Sequence, residues 1–153
     1  MIYQQHILDT IKELAAFISK DYKYVYVNES YSQYYGSETD EITGKPISEF
    51  LGKDLFKNRI KPGLDRCLAG ELVQYESIVR FKELGDRYMA ISYYPHYNKE
   101  GDIDGVISIA DDRSEEFMLS QNWLMAMDAV NDIVCLIDAD YTIIDINRHG
   151  LEM

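Results

Sequence analysis

One local pattern occurs twice in this sequence, at a distance of 119 residues. Leu14–Gly36 combines two short apolar runs, a polar turn between them and a helix-forming segment that starts at an Asn. Ile133–Met153 follows the same pattern without a gap; the identical residues are Asp21 and Asp140, Tyr22 and Tyr141, and Asn28 and Asn147. A repeat this long is a domain repeat, since solenoid units span about 20–50 residues. The sequence therefore predicts one complete domain and the start of a second, within a longer protein.

The first copy predicts a strand, a turn, a second strand and a short helix. Aromatic and β-branched residues favour strands on both sides of 20–23, and Asp21 suits a turn. Asn28 is a good helix N-cap, because its side-chain oxygen can accept a backbone N–H two or three residues later. Gly36 is typical of the position that follows a helix. We therefore interpret Asn28 as a cap rather than as a ligand contact.

Helical and strand periods follow one another along the rest of the first domain. Residues 1–13 have apolar side chains at helical spacing and predict an amphipathic helix. Several short helices are predicted between 37 and 68, the longest over Lys53–Leu68 with a kink or break at Pro62. From 73 onwards the apolar period changes to two, which predicts strands over 73–81, 87–97 and 106–111. Both faces of these strands carry apolar side chains, so we expect a covering layer on each.

This order of elements indicates an α+β domain. Five antiparallel strands form the sheet, short helices pack on one face, and amphipathic helices flank the domain at both ends. We place the N-terminal helix at 1–13, the domain at 14–114, a linking helix at 115–131 and a truncated second domain at 132–153. The truncated copy lacks sheet partners for its edges, so we expect it to be frayed or to pair with another chain.

The charge balance restricts the partners of the chain. Its 27 acidic and 15 basic residues give a net charge of −12, which argues against binding to nucleic acid or to an anionic membrane. No apolar run reaches the ~18–20 residues of a membrane span, and the start lacks the cationic lead of a signal peptide. Cys67 and Cys135 have no metal-type spacing. We therefore expect a cytoplasmic protein.

Three segments resemble the PAS domain family. They are YVYVN followed by a short helix and Gly36, the run EITGKPISEFL at Glu41–Leu51, and the run GVISIADDRSE at Gly105–Glu115. The third is similar to the final strand and the Asp-Ile-Thr ending of the family, with Asp112 at the Asp, Arg113 in place of the Ile and Ser114 at the Thr. The resemblance spans about Leu14–Ser114, and a partial second copy starts at Ile133.

The resemblance implies a sensory module. Domains of this family fold as a five-stranded sheet that cups a small pocket, and they commonly occur in tandem. They lie upstream of histidine kinases, cyclic dinucleotide enzymes or transcription regulators. They sense a ligand or cofactor, or they dimerise, and they pass strain to the linking helix. We predict that this chain comes from a bacterial or archaeal signalling protein, with a sensor histidine kinase as the expected parent.

Strand alternation and the resemblance together give a candidate pocket. Its wall would combine alternate residues of the last three strands with side chains of the short helices. The candidates are Ser77, Val79, Phe81, Met89, Ile91, Tyr93, Val106, Ser108 and Ala110 on strands, and Tyr31, Tyr34, Phe50, Leu51, Phe56 and Leu64 on helices. This set is apolar with a few hydroxyls, which suits a small organic ligand. The same residues could simply fill a core, and the sequence leaves both interpretations open.

The helix after the last strand is the candidate relay to a downstream output domain. Its apolar stripe is Leu119, Trp123, Ala126 and Val130, widened by Phe117, Leu124 and Met127, and Asp112 and Ser114 precede it. A stripe that wide needs a partner, so we expect a homodimer through the flanking helices. The 13 tyrosines are a further hint of self-association, because amphipathic aromatic residues are enriched in interfaces.

No sequence motif points to catalysis. The chain has no phosphate-binding glycine loop, paired-histidine zinc motif or nucleophile elbow. Lys53–Leu68 lacks a His that could ligate haem, and Cys67 lies outside the Cys-containing run of the flavin photosensors. We therefore predict neither haem nor flavin, which leaves a small organic ligand. The alternatives are a pure homodimerisation module with a filled pocket, and a small α+β enzyme, whose acid or base the predicted lining lacks.

Overall fold

The computed structural model describes residues 7–128, 135–137 and 143–146. For 123, 124, 126–128 and the two C-terminal segments, the description is limited to the backbone. The chain divides into two units, Met1–Arg113 and Ser114–Met153. The first unit contains the predicted sheet and the short helices, and the second contains the linking helix and the second copy.

The five predicted strands of the first unit form one antiparallel sheet. They are β1 (Leu14–Ser19), β2 (Tyr24–Val27), β3 (Val73–Phe81), β4 (Gly85–Tyr97) and β5 (Ile103–Asp112), in the spatial order β2-β1-β5-β4-β3. β5, the last of these five strands in the sequence, is thus the central strand of the sheet, with β1 and β4 as its neighbours. The predicted α+β class with a five-stranded antiparallel sheet is confirmed.

Short helices connect β2 to β3. They are α1 (Glu29–Tyr35), α2 (Thr39–Ile42), α3 (Ile47–Leu51), α4 (Lys53–Leu55) and α5 (Lys61–Leu68), with a π-helical turn at Phe56–Ile60. The disturbance predicted at Pro62 therefore takes the form of a wider turn just before it, in which the Lys61 N–H donates to the Phe56 carbonyl. Proline lacks the N–H that would continue the regular α-helical bonds, which accounts for this position.

The inner face of the sheet forms the core together with these helices. Along β3, buried or half-buried residues alternate with exposed ones, as a strand with one covered face requires. The opposite face is less covered: Ile78 is 58% exposed and Tyr94 is 40% exposed. We expect a covering layer on that face as well. Over β3 and β4, the described residues of this chain do not form one.

The second unit repeats the first hairpin. It contains α6 (Ser114–Asp128) and two antiparallel strands, β6 (Cys135–Ile137) and β7 (Ile143–Ile146). The pairs Cys135–Ile146, Leu136–Asp145 and Ile137–Ile143 correspond, at an offset of 119, to Ala16–Val27, Phe17–Tyr26 and Ile18–Tyr24 of β1 and β2. The irregularity after the second pair is the same in both hairpins. The two described strands of this copy pair with each other, and the expected pairing with another chain stays a prediction.

Candidate functional site

A cavity of about 510 Å³ lies between the inner face of the sheet and the short helices. Strand residues form its floor, and side chains of α1, α3, α4 and the π-helical turn form its roof. Its volume is within the ~300–1,000 Å³ typical of small-molecule sites. The fold therefore leaves room for a small molecule at the place where the sequence predicts a pocket.

Most of the predicted pocket residues line this cavity. They are Tyr31, Phe50, Leu51, Ser77, Val79, Phe81, Met89, Ile91, Tyr93, Ser108 and Ala110. The strand residues of the prediction line the cavity because directly paired residues, such as Ile91 and Ala110, lie on the same face of the sheet. Whether these side chains contact a ligand stays a prediction.

Three other predicted residues lie outside the cavity wall, two of them in the core and the half-buried Phe56 packed against it. Leu64 and Val106 are fully buried in the core cluster. Phe56 packs edge-on against Tyr22, with 5.3 Å between the ring centroids. Phe56 begins the π-helical turn, so a regular helical period does not apply to its position.

Tyr34 also lies outside the cavity, where it connects two elements of the domain. Its hydroxyl donates to the Asp112 carboxylate at 2.8 Å, and its ring packs edge-on against Phe81 at 5.3 Å between centroids. Arg87 approaches the same carboxylate at 3.7 Å. Burial and the bond to Asp112 raise the pKa of Tyr34. A residue predicted for the pocket thus joins α1 to the end of β5, where the predicted relay begins.

Sequence reasoning missed three tyrosines of the cavity wall, namely Tyr24, Tyr35 and Tyr75. With Tyr31 and Tyr93 they form what we call the tyrosine cluster. The hydroxyls of Tyr24 and Tyr31 are 2.6 Å apart, and so are those of Tyr75 and Tyr93. Tyr75 could have been included, since it belongs to the inner face of β3 together with Ser77 and Val79. The positions of Tyr24 and Tyr35 depend on how β2 and α1 pack, which periodicity does not give.

Burial keeps the tyrosine cluster protonated. Loss of solvation is the largest cause of the raised pKa at each member, and it places the pKa of Tyr35 at about 12. The pKa values of Tyr31 and Tyr93 are raised well above the usual value. At neutral pH all five hydroxyls therefore act as neutral donors and acceptors towards the cavity.

The cavity wall also contains three cations that the prediction did not include. They are Arg59 of the π-helical turn, Arg80 of β3 and Lys82 in the turn after β3. Arg59, Tyr75, Ser77 and Ile78 also line an adjacent groove of about 610 Å³. The cavity and this groove are therefore neighbours, and residues of the π-helical turn and of β3 line both of them.

Asn28 is a structural residue, as predicted. It is 1% exposed, and its Oδ1 accepts the N–H groups of Tyr31 and Ala15, both at 3.0 Å. Its Nδ2 donates to the carbonyls of Leu8 at 2.8 Å and Glu13 at 2.9 Å. The side chain thus caps α1, as predicted, and ties it to β1 and to the segment before β1. It does not belong to the cavity wall.

Neither His96 nor Cys67 belongs to the cavity wall. His96 bonds Asp104 at 2.5 Å and packs against Phe17, away from the cavity wall. Cys67 is fully buried, which raises the pKa of its thiol to about 11 and makes it a poor nucleophile. Among the described residues, no group of three His, Cys, Asp or Glu side chains is arranged to hold a metal ion. Within the same residues, no helix has the length and hydropathy to cross a membrane.

The relay residues are described only in part. Asp112 ends β5, Ser114 begins α6, and Phe117 is half-buried. Leu119 is 64% exposed. The side chains of Trp123, Leu124 and Met127 lie outside the described part of the chain, as does the predicted end of the helix at 129–131.

A family model described as the PAS fold matches residues 8–116. The chain belongs to the PAS family. The match covers the sheet, the short helices and the start of α6, and it agrees with the resemblance in the sequence. Among curated proteins, none matches the sequence.

Solved structures share the fold at low sequence identity. The PAS domain of Bordetella pertussis BvgS is 15% identical with a TM-score of 0.65, and the match covers 84% of this chain and 97% of that one. A Vibrio cholerae sensory box sensor histidine kinase is 22% identical with a TM-score of 0.54, covering 72% and 90%. A Vibrio cholera VqmA–ligand–DNA complex is 12% identical with a TM-score of 0.66, covering 90% and 63%. The match thus spans less than two thirds of the VqmA chain.

Proposed function

We propose that this PAS domain senses a small organic molecule in its cavity and transmits the signal through α6 to a downstream output domain. The cavity of about 510 Å³ carries the proposal, because its wall is apolar apart from a few hydroxyls and cations. The link from Tyr34 to Asp112 supports the relay, since it joins the helical roof to the end of β5, next to α6. In this proposal the domain itself has no catalytic activity and works in the cytoplasm.

For the output we propose a histidine kinase, preceded by a second PAS domain that starts at about 132. The shared register of the two hairpins supports the second domain. One structural relative is a sensor histidine kinase, which is compatible with a kinase output. Another is a VqmA–ligand–DNA complex, so a DNA-binding output is the competing possibility. The net charge of −12 favours an output that does not use this domain to bind nucleic acid.

Ligand binding can be tested by the melting temperature. A ligand that binds only the folded state stabilises it, by about 2.7 kcal/mol at a hundred times its Kd. We expect fractions of a metabolite extract to raise the melting temperature of the wild type, and native mass spectrometry to show the bound mass. The variant Ala110→Leu fills part of the cavity and should lose both effects, whereas Ala69→Leu adds the same side chain at an exposed site and should keep them. A wild type that responds to no fraction would exclude the ligand-sensing function.

A homodimerisation module is the second candidate function. Exposed apolar side chains on α6 favour it, because Met118 is 56% exposed and Met125 is 69% exposed, in addition to Leu119. Light scattering after gel filtration should give the mass of a dimer for the wild type and that of a monomer for the double variant Leu119→Glu/Met125→Glu. A monomeric wild type would exclude the homodimerisation function and would leave the ligand-sensing proposal unchanged.

A further inference from the structure

The cavity wall differs in charge from the rest of the chain. Acidic residues outnumber basic ones by 27 to 15 in the sequence, yet the described wall contains three cations and neither Asp nor Glu. A concave apolar wall with charges of one sign concentrates ions of the opposite sign. Among the described residues, Asp86 pairs with Arg80, so the charge that favours an anion comes from Arg59 and Lys82.

Arg59 is the cation best placed to meet such an anion. Arg80 is held by Asp86, with 2.7 Å between Nε and Oδ1, and Lys82 lies in the turn after β3. No ion pair joins Arg59 to a carboxylate within the described residues. Arg59 and Tyr75 line both the cavity and the adjacent groove, so the two residues face the same space. Short π-helical turns are frequent at functional sites, and Arg59 lies on one.

The hydroxyl pair of Tyr75 and Tyr93 has one hydrogen-bond donor that is available to a ligand. Tyr75 and Tyr93 each carry one hydroxyl proton, and the 2.6 Å bond between them uses one of the two. In the described part of the chain, no other side chain or carbonyl accepts the second proton. The remaining proton can be donated to a ligand that brings an oxygen atom into the cavity.

We propose that the ligand is a small aromatic or aliphatic carboxylate. Its carboxylate accepts hydrogen bonds from the Arg59 guanidinium and from the Tyr75–Tyr93 hydroxyl pair, and its apolar body packs among Phe50, Phe81 and Met89. A guanidinium suits a carboxylate because its N–H groups form a planar fork. This inference rests on the proposed ligand-sensing function and adds the chemical class of the ligand.

The test compares acids with their isosteric amides. The probes are phenylacetate and 3-phenylpropionate, with phenylacetamide and 3-phenylpropanamide as neutral partners, and the measurement is titration calorimetry. We expect the acids to bind the wild type more tightly than the amides, and Arg59→Gln to weaken the acids about ten- to a hundredfold. Tyr75→Phe should weaken them as well. Lys57→Gln removes an exposed cation from the same helical turn and should change their affinity less than twofold.

Each other outcome contradicts the inference. Equal binding of acids and amides, or unchanged binding in Arg59→Gln, would show that the site does not select an anion. An equal loss in Lys57→Gln would show a diffuse charge effect rather than recognition by Arg59. Failure of all four probes to bind would exclude the carboxylate class. The melting tests with metabolite fractions decide separately whether the cavity binds any ligand, so the two failures can be told apart.

Discussion

Asn28 makes more hydrogen bonds than its role as a helix cap requires. One buried amide satisfies two backbone N–H groups and two backbone carbonyls, from four residues in three segments of the chain. Loss of a cap alone costs about 0.5–2 kcal/mol, and each partner left buried without a bond adds about 1–3 kcal/mol. A single side chain therefore holds the N-terminal segment, β1 and α1 together.

We expect Asn28→Ala to lower the free energy of unfolding by about 3 kcal/mol or more, because four backbone groups lose their partner. Urea unfolding measures this loss. Asn58→Ala, at an exposed position of the π-helical turn, is the matched control and should change stability by less than about 0.5 kcal/mol. An equal loss of unfolding free energy in the two variants would mean that the hydrogen bonds of Asn28 contribute no more stability than an exposed Asn does.

Gly105 is required by the close approach of two strands. A Cβ at this position would lie 2.5 Å from the Ile18 carbonyl oxygen and 2.8 Å from the Phe17 ring. The closest atom belongs to the backbone, so β1 and β5 would have to separate locally. We expect Gly105→Ala to destabilise the domain by about 1–3 kcal/mol, as overpacking does, measured by thermal unfolding. An unchanged melting temperature would show that the central strands are looser than the structure indicates.

At the scale of elements, the π-helical turn is the feature that sets the site. It lies between α4 and α5 and contains Arg59, just before Pro62. The Lys61 N–H skips one residue and bonds the Phe56 carbonyl, which widens the helix. The direction of the Arg59 side chain therefore depends on the proline that follows.

Replacing that proline should change both the helix and the site. Pro62→Ala supplies an N–H that can bond the Asn58 carbonyl, so we expect a regular α-helix over this segment and an equal or higher melting temperature. Because a regular helix would change the direction of the Arg59 side chain, phenylacetate should bind at least fivefold more weakly. Pro46→Ala lies outside this turn and is the control for the loss of a proline from the unfolded chain. An unchanged affinity of Pro62→Ala for phenylacetate would show that the π-helical turn does not position Arg59.

The sequence predicts the sheet side of the site better than the helical side. The positions of Ser77, Met89 and Ala110 follow from the two-residue period of a strand, which needs no tertiary information. Arg59 and Phe56 depend on a change of helical pitch, and a regular period predicts neither. Tyr24 follows from the packing of the edge strand β2 against the short helices, which a sequence pattern does not encode. Local periods and the family resemblance thus predicted the fold, whereas the cations and three tyrosines of the cavity wall were not predicted.

At the scale of the molecule, the two hairpins of the chain have the same register. The same three strand pairs and the same irregularity recur at an offset of 119. A shared register with a shared irregularity is stronger evidence of a repeat than shared apolar alternation. A slip by one residue would move every side chain to the opposite face of the sheet. The second hairpin therefore supports our proposal that a further PAS domain starts after α6.

The buried tyrosines should make the whole domain sensitive to alkali. Tyr31 and Tyr93 have pKa values raised well above that of an exposed tyrosine, that of Tyr35 is about 12, and that of Cys67 is about 11. A folded-state pKa above the unfolded one gives stability that is complete below the unfolded pKa. This stability is lost as the pH rises towards the folded pKa, because the unfolded state releases its protons first.

We therefore expect the free energy of unfolding to stay constant to about pH 9 and then to fall. Each buried group that ionises only on unfolding contributes a slope of about 1.4 kcal/mol per pH unit. Absorbance at 295 nm should show these tyrosines ionising together with the loss of the circular dichroism signal. Tyr31→Phe removes one such group, so its slope above pH 10 should be smaller than that of the wild type, whatever its stability at neutral pH. An identical slope would mean that Tyr31 ionises within the folded domain, and that the tyrosine cluster is open to water.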